Sequence, residues 1–338
     1  MVAQPQQRET LATRLFPNGV RGVLQLPEAS ITLVAIIIAV IFQSINAGFL
    51  TGLLPTLLKD AAQYGLLAIG EAMLMITGEI DLSVPKIYST APFVVLFASG
   101  FLPFPLAVLV GLAVGALIGM VNGIITVKFG VPSLITTLGM QFLLDGIVLT
   151  VVNSNPIATP INDPYAGWLG NGINSTDFSL AQIANFLWLI AAVIVLTLVL
   201  RRTRFGLHTI SVGSNLLASR EIGIRTDLVK IVNFMIAGVT AGFAGILFWG
   251  GQGSVNPSAG DPSLALYGIA AAVIGGTSLF GGYGTIIGAL IGALVIAALR
   301  DGLPLVGAPA TVSFIILGIA IVVSMVLNIR FSKSRGRR

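Results

Sequence analysis

The chain has no cysteine and only one histidine, His208, among its 338 residues. These absences exclude disulfides, thiolate metal sites, iron–sulfur clusters and bis-histidine haem ligation within the chain, so redox-cofactor chemistry is disfavoured. Charge is also scarce, since 9% of the residues are charged where a soluble domain has about 25%. With 55% apolar residues and a mean hydropathy of +0.97, the chain has too little polar surface to cover soluble cores. The composition predicts a polytopic membrane protein.

The sequence also lacks a motif for nucleotide hydrolysis. A phosphate-binding P-loop needs Gly-Lys followed by Ser or Thr, and none of the five lysines follows a glycine. The sequence offers no set of nucleophile, base and orienting residue, and we interpret His208 as an ordinary exposed side chain. We therefore expect no catalytic residue, no metal site and no cofactor in this chain. Any ATP-Mg would be bound by partner subunits.

Ten apolar segments are long enough, or nearly so, to cross a bilayer as helices. The expected fold is all-α, with about ten transmembrane helices, some of them broken. The predicted segments are 30–50, 61–78, 84–101, 105–127, 131–152, 184–200, 231–250, 264–281, 284–302 and 309–328.

The basic residues orient these segments, because cytoplasmic loops collect Lys and Arg. Fourteen of the 18 lie in the tail 1–28, the central loop 201–230 or the tail 330–338. Even numbers of crossings separate these regions, so both termini are predicted to be cytoplasmic around a transmembrane domain at 29–329. Lys86 and Lys128 also fall inside, whereas Lys59 and Arg300 fall outside. The loop 153–183, which has no Lys or Arg, would face outward, and the net charge of +5 would not indicate nucleic-acid binding.

Small residues mark close helix packing within the predicted spans. Glycines recur every four residues at 111, 115, 119 and 123, and again at 284, 288 and 292. Such stripes let helix backbones approach in lipid, and we interpret them as internal packing rather than as a subunit interface. The cluster at 281–284 and Pro304 interrupt apolar runs, which predicts a tight or broken turn between the eighth and ninth spans.

Acidic residues in or beside the spans mark a candidate polar site. An ionised acid in a span costs about 2.5–3.5 kcal/mol on insertion scales, so each such acid requires a stabilising partner or a function. The acids are Glu71, Glu79, Asp81 and Asp145. The segment 78–85 also holds Gly, Ser and Pro, which favours a broken helix with backbone polar groups facing a cavity. The alternative is that the acids only cap a helix end near Lys86.

Neutral polar residues add to this site from the fourth and fifth spans. They are Asn122, Thr136, Thr137 and Gln141, and Gln141 shares a helix face with Asp145 at i, i+4 spacing. Hydrogen bonds between helices are the alternative role for these groups.

The central basic loop is longer than a turn and contains helix-capping signals. Asn215 can cap a short helix over residues 216–222, and Gly223 can end it. A short exposed helix of this kind can dock into a partner's groove. An ordinary positive-inside loop is the alternative.

Four motifs resemble the permease subunits of bacterial ABC importers of the ribose, xylose and autoinducer-2 type. Ile80-Asp-Leu-Ser-Val84 resembles the end of the family's Gly-Gly-Ile-Asp-Leu-Ser-Val-Gly signature. The others are the Val-Pro-Ser-Leu-Ile-Thr-Thr-Leu-Gly-Met run at 131–140, the segment 213–224 and the Gly-Gly-Thr-Ser-Leu-Phe-Gly-Gly-Tyr-Gly run at 275–284. The segment 213–224 resembles the family's coupling segment.

The resemblance implies a transport subunit of the bacterial cytoplasmic membrane, without enzyme activity of its own. Its implied partners are a second permease chain, identical or a sister, two ATP-binding subunits, and a periplasmic or lipoprotein solute-binding protein. The expected cargo is a sugar or sugar-like small polar solute. We assign the translocation pathway to Glu79, Asp81, Ser83, Asn122, Thr137 and Gln141. The resemblance assigns ATPase coupling to Gly213, Asn215, Ala218, Arg220 and Gly223.

The sequence also departs from the family pattern. Glu79 and Pro85 replace signature glycines, and Leu266-Tyr267 stands where an acidic pair is common, so the resemblance does not define the solute. We interpret Glu79 either as a ligand-binding carboxylate or as a group that holds the pathway closed through a partner. A proton-coupled secondary carrier that uses the acids 79, 81 and 145 is the alternative function. A membrane-embedded enzyme is a third and weaker reading.

Overall fold

The computed structural model describes residues 28–159, 180–250, 252–309 and most of 311–326. Within them the chain is a helical bundle with one pair of very short strands. The helices are α1 (Ala29–Ile45), α2 (Phe49–Gly52), α3 (Leu54–Ile76), α4 (Val84–Ser99), α5 (Phe104–Lys128), α6 (Ser133–Val151), α7 (Leu180–Arg202), α8 (Arg204–Ser214), α9 (Leu216–Glu221), α10 (Thr226–Gly250), α11 (Ser263–Ile274) and α12 (Ile286–Leu305). The strands are β1 (Ile157–Ala158) and β2 (Ser254–Val255).

Helix α3 forms the centre of the bundle. Almost every residue from Ala61 to Ile76 is buried, and α3 packs against α7, α10, α11 and α12. The outer helices expose Leu, Ile, Val and Phe instead, as α5 and α6 do along much of their length. Apolar residues on the outside of a helical bundle are expected where lipid is the solvent.

Five helices are long and apolar enough to cross a membrane by themselves, judged by length and composition over the described residues. They are α5, α6, the part Ile183–Arg202 of α7, α10 and α12. This confirms an all-α membrane protein. The tails at 1–27 and 330–338, and most of the expected outer loop 153–183, lie outside the described residues.

The glycine stripes pack inside the chain. A Cβ atom added to Gly115 would lie 2.6 Å from the carbonyl oxygen of Gly238, and one on Gly119 would lie 2.2 Å from that of Phe234. Both neighbours belong to α10. In the second stripe, a Cβ on Gly292 would lie 2.0 Å from the carbonyl oxygen of Ala271 in α11. The interpretation as internal packing is confirmed at these positions.

Several predicted boundaries are wrong. The first segment ends at Ile45 rather than near residue 50, and the eighth ends at Ile274 rather than 281. Pro304 does not interrupt α12 but lies in its last turn. The expected tight turn is present between α11 and α12, where Gly276, Gly281 and Gly282 have φ of +91°, +84° and +79°. These left-handed conformations suit glycine and stop the helix inside an otherwise apolar run.

Two of the predicted spans, α4 and α11, form helices that are too short to cross a bilayer by themselves, which gives the fold its broken elements. Helix α4 has 16 residues and α11 has 12, so α11 is about 18 Å long where a hydrocarbon core measures about 30 Å. A segment outside the α-helices precedes each of them, at 77–83 and at 256–262, the second of which contains the 3₁₀ helix Pro257–Ala259. The second segment is packed closely on α4, since a Cβ on Gly260 would lie 2.1 Å from the carbonyl oxygen of Pro85.

Candidate coupling and translocation site

The candidate site is built around residues 77–83, which we call the broken segment. Helix α3 ends when Thr77 and Gly78 donate backbone hydrogen bonds to Leu74 and Met75, and Gly78 has a φ of +85°. The chain then turns back beside α3, because the Asp81 amide donates to the Glu71 carboxylate at 3.4 Å. Glu71 lies five residues before the end of α3, which is about 7.5 Å along its axis. Helix α4 therefore starts inside the bundle rather than at its edge.

Asp81 organises the broken segment. Its Oδ1 accepts hydrogen bonds from the Ser83 amide at 2.7 Å and from the Ser83 hydroxyl at 2.6 Å. Its Oδ2 accepts one from Asn122 Nδ2 at 3.2 Å, and the same nitrogen donates to Ser83 Oγ at 2.9 Å. Asp81, Ser83 and Asn122 are all 0% exposed. A buried carboxylate needs several donors of this kind, so the local geometry matches the capping interpretation as well as a polar site.

Helix α6 holds the broken segment from another side. The Leu82 amide donates to Thr137 Oγ1 at 3.0 Å, and the Ile80 amide donates to Ser133 Oγ at 3.4 Å. Thr137 also donates to the Ser133 carbonyl at 2.8 Å. These side chains satisfy backbone groups that neither α3 nor α4 can pair, as irregular backbone inside a membrane protein requires. Gln141 lies one turn further along α6 and is partly exposed.

Glu79 is paired with a lysine from a distant part of the chain. Its Oε1 lies 2.5 Å from Lys230 Nζ in α10, and the two side chains are only 14% and 15% exposed. Of the two interpretations of Glu79, the one that gives it a partner within the protein therefore has a candidate partner in Lys230.

The short helix predicted in the central loop is present as α9. Asn215 Oδ1 accepts a hydrogen bond from the Ala218 amide at 3.0 Å, which is an N-cap. At the other end Gly223 has a φ of +85°, its amide donates to Arg220, and the Ile224 amide donates to Ser219. This is a Schellman C-cap. The predicted caps are thus confirmed, and the helix ends at Glu221, one residue earlier than expected.

The coupling segment 213–224 packs against the last residue of α3 and against the glycine-rich turn 275–284, which in turn contacts the broken segment at Gly78. A Cβ on Gly213 would lie 1.7 Å from the Ile76 carbonyl oxygen, so only glycine fits there. That oxygen accepts a hydrogen bond from the Gly282 amide at 2.8 Å. A Cβ on Gly281 would lie 3.0 Å from both the Gly213 oxygen and the Gly78 nitrogen. Three segments far apart in sequence therefore meet at the end of α3.

A second ion pair lies beside the start of α4. Lys86 Nζ lies 2.7 Å from Asp145 Oδ1 of α6, with side chains 9% and 34% exposed. Asp261, just before α11, is within electrostatic range of Lys86. The acid predicted in the fifth span thus has a lysine partner, as a charge inside a membrane protein requires.

An apolar groove of about 430 Å³ lies next to α9. Its lining includes His208, Ile222, Ile224 and Leu228. Leu217 and Ile222 of the coupling segment are 72% and 75% exposed. The end of the bundle that carries α9 therefore presents apolar side chains and a concave surface.

The structure brings together most of the residues predicted for the pathway. Asp81, Ser83 and Asn122 form one hydrogen-bonded group. Thr137 binds the Leu82 amide between Asp81 and Ser83, and Glu79 lies on the same segment. Lys230, Ser133 and the Lys86–Asp145 pair were not predicted as parts of the site. The sequence contains one signal for such a pair, because an acid in a span, such as Asp145, requires a partner. It contains none for Lys230, which is one of several basic residues in the central loop.

Comparison with known proteins identifies the family. A family model described as the branched-chain amino acid transport system / permease component matches residues 53–325. The chain belongs to this family, whose members are membrane permeases. This agrees with the resemblance drawn from the four motifs.

Individual relatives are similar over nearly the whole chain. The xylose/arabinose import permease protein XylH of Sulfolobus acidocaldarius is 37% identical over 319 residues, which cover 92% of this chain and 87% of that protein. The ribose import permease protein RbsC of Bacillus subtilis is 32% identical over 326 residues, with 96% and 98% covered. The autoinducer 2 import system permease protein LsrC of Photorhabdus luminescens is 30% identical, with 78% and 77% covered. No solved structure matches the chain.

Proposed function

We propose that this chain is the membrane subunit of a binding-protein-dependent ABC importer for a sugar or sugar-like small polar solute. The chain would form the translocation pathway, and separate subunits would hydrolyse ATP. The observation that carries the proposal is the junction at the end of α3, where Gly213, just before the capped helix α9, packs on Ile76 next to the broken segment. The similarity to import permeases named for xylose, arabinose and ribose favours a sugar.

In this proposal the ten predicted segments cross the cytoplasmic membrane, with both termini and the loop 201–230 in the cytoplasm. Helices α4 and α11 would cross together with the non-helical backbone that adjoins them. The positions of the helix ends support this arrangement. The broken segment, the start of α6, the coupling segment and the turn before α12 lie close together. Strands β1 and β2, which follow α6 and α10, pair with each other. Segments predicted for the same side therefore meet in the bundle.

The partners follow from the same reasoning. Helix α9 and the adjoining groove would receive one ATP-binding subunit, with Gly213, Asn215, Ala218, Arg220 and Gly223 shaping that surface. A second permease chain, identical or a sister, would contribute the other half of the pore and bind the second ATP-binding subunit. A periplasmic or lipoprotein binding protein would deliver the solute at the opposite end.

The broken segment would form a wall of the pathway. Asp81, Ser83 and Asn122 are buried and hydrogen-bonded to one another, and the buried Thr137 holds the Leu82 amide. We assign these four residues to supporting that wall on the side away from the solute. Gln141 is partly exposed, and we assign to it a contact nearer to the solute, whereas the Glu79 carboxylate is paired with Lys230. A pathway of neutral hydroxyl and amide groups binds weakly and releases its solute, as transport requires.

Co-purification tests the proposal. The chain would be co-expressed with the ATP-binding subunits of its own transporter and purified in detergent, with Leu217→Asp and Ile222→Asp together as the variant. These side chains are exposed, so the fold should survive while an apolar contact is lost. Phe101→Asp, an equally exposed residue at the opposite end, is the matched control.

We expect the wild type and the control to retain the ATP-binding subunits and the variant to lose them. A wild-type chain that purifies alone, and accumulates tritiated D-xylose or D-ribose in vesicles driven only by a proton gradient, would contradict the proposal. That result would favour the secondary carrier.

A further inference from the structure

We propose that Glu79 and Lys230 form a coupling strut, an ion pair that ties the position of the broken segment to the position of the coupling segment. This inference rests on the proposed function and deepens it, because it assigns two positioning residues for the transport cycle. Glu79 stands where the resembled signature has glycine, so the strut is a feature of this chain rather than of that signature.

The ion pair is poorly screened by solvent. The Glu79 and Lys230 side chains are 14% and 15% exposed and meet at 2.5 Å across 151 residues of sequence. By contrast, the Arg220–Asp227 pair has side chains that are 54% and 53% exposed. Exposed pairs contribute little, whereas removing one partner of a secluded pair leaves an uncompensated charge. The ion pair therefore couples the position of the broken segment, which contains Glu79, to the position of α10, which contains Lys230.

Lys230 is mounted on the part of α10 that is attached to the coupling segment. Arg220 of α9 donates from Nε to Thr226 Oγ1 and from Nη2 to Asp227 Oδ1, both at 3.0 Å. Thr226 and Asp227 form the first turn of α10, and Lys230 follows one turn later. Only residues 222–225 separate α9 from α10, and Thr226 is buried. A displacement of α9 by a docked subunit would therefore move the Lys230 ammonium group through this short connection and the Thr226 hydrogen bond, with little help from the exposed Arg220–Asp227 pair.

Glu79 lies on backbone outside the helices, which can move when the Lys230 ammonium group moves. It lies between Gly78, whose φ is +85°, and Ile80, whose amide makes a long 3.4 Å hydrogen bond to Ser133. Two residues later, Asp81 leads into the buried group with Ser83 and Asn122. A movement of the Glu79 side chain would therefore shift the broken segment, which we assign to the pathway wall.

The strut is distinct from the contact at Gly213. That contact joins backbone to backbone with no space for a Cβ, so changing it would disrupt packing. The ion pair joins two flexible side chains, and its loss leaves the backbone contact in place. We therefore expect variants of the strut to assemble with their partners and to fail in transmitting the nucleotide state.

The absence of cysteine from the chain provides a direct readout. Leu82, which is partly exposed in the broken segment, would be replaced by cysteine as the only thiol of this chain, with ATP-binding subunits also made cysteine-free. The rate of its reaction with a small methanethiosulfonate reagent would be measured in the assembled complex, without nucleotide and after trapping with ATP and vanadate. The backgrounds are the unmodified strut, Glu79→Gln, Lys230→Gln, and the charge exchange Glu79→Lys with Lys230→Glu.

The matched control is Glu28→Gln. Glu28 pairs with Arg201 at 3.2 Å, and its side chain is 13% exposed, almost the same as Glu79. The control removes an ion pair whose carboxylate is as secluded as that of Glu79, whose arginine is 53% exposed, and which does not touch the broken segment. Its complex should respond to nucleotide as the unmodified complex does.

We expect nucleotide to change the labelling rate of the thiol at position 82 by about fivefold or more in the unmodified complex, the scale of a typical coupling free energy. The change should be lost in both single variants and restored by the charge exchange. A response of equal size in Glu79→Gln, Lys230→Gln and the unmodified complex would overturn the strut while leaving the importer in place. An unmodified chain that binds no ATP-binding subunit would overturn the proposed function and the strut with it.

Discussion

Asn122 holds the broken segment with a single amide nitrogen, which donates to both Asp81 and Ser83. An alanine at this position would leave Asp81 Oδ2 without that donor in a fully buried site. An unsatisfied buried acceptor costs about 1–3 kcal/mol. We expect Asn122→Ala to lower the midpoint of thermal unfolding in detergent, followed by tryptophan fluorescence.

Asn155→Ala is the control for that measurement, because Asn155 is exposed and bonds only within its own turn among the described residues. Surface substitutions of this kind change stability by less than about 0.5 kcal/mol. Equal unfolding midpoints for the two variants would show that Asn122 does not support the buried group.

At this scale the sequence identified the polar residues but not their partners. Asp81, Ser83 and Asn122 stand out because polar groups are rare in apolar segments, and this rarity is visible without a structure. The Glu79–Lys230 pair joins residues 151 positions apart, and no local pattern brings them together. Such pairs depend on which helices pack side by side, which the periodicity of a single helix does not reveal.

Helix α9 has only six residues, so its stability depends on its caps. Isolated helices of this length are unstable, because nucleation costs more than a few hydrogen bonds return. Replacing Asn215 by alanine should cost about 0.5–2 kcal/mol of helix stability. We expect Asn215→Ala to speed hydrogen exchange at the amides of Ala218 and Ile224, measured by mass spectrometry of the detergent-purified chain.

Asn215→Asp is the conservative control, since aspartate accepts the same hydrogen bond as an N-cap. Exchange in this variant should remain close to that of the wild type. If Asn215→Ala exchanged no faster than Asn215→Asp, the short helix would be held by tertiary contacts rather than by its cap.

The elements that the sequence predicted well have local signals. The Asn215 and Gly223 caps lie within nine residues of each other and specify a helix by themselves. The end of α11 also has a local signal, because Gly275-Gly276 follows Ile274 and Gly276 forms a Schellman C-cap with a φ of +91°. The prediction passed over this signal and ran the segment on to 281. What the sequence does not show is the contact at Gly275, where a Cβ would lie 2.2 Å from the Gly288 backbone of the neighbouring helix.

At the scale of the whole molecule, the bundle has two chemically different ends. One end gathers the coupling segment, the broken segment and the Arg201–Glu28 pair. The opposite end holds the β1–β2 pairing and the hydrogen bond from Trp249 to Thr159. Hydropathy and charge predicted this grouping, because successive spans cross in opposite directions and their connecting loops therefore alternate between the two ends. They did not predict the depth at which α4 begins, since that depends on the contact between Asp81 and Glu71.

Chemical labelling tests which end faces the cytoplasm. The chain without cysteine accepts single thiols at two exposed positions, Ile222→Cys beside the groove and Asn155→Cys at the opposite end. Because 14 of the 18 basic residues lie in the tails and the central loop, the end that carries residue 222 should remain in the cytoplasm. A membrane-impermeant maleimide should therefore label position 155 in intact spheroplasts and position 222 only in inverted vesicles. Labelling both positions after detergent treatment controls for reactivity, and the reverse pattern in intact spheroplasts would place α9 outside, where no ATP-binding subunit could reach it.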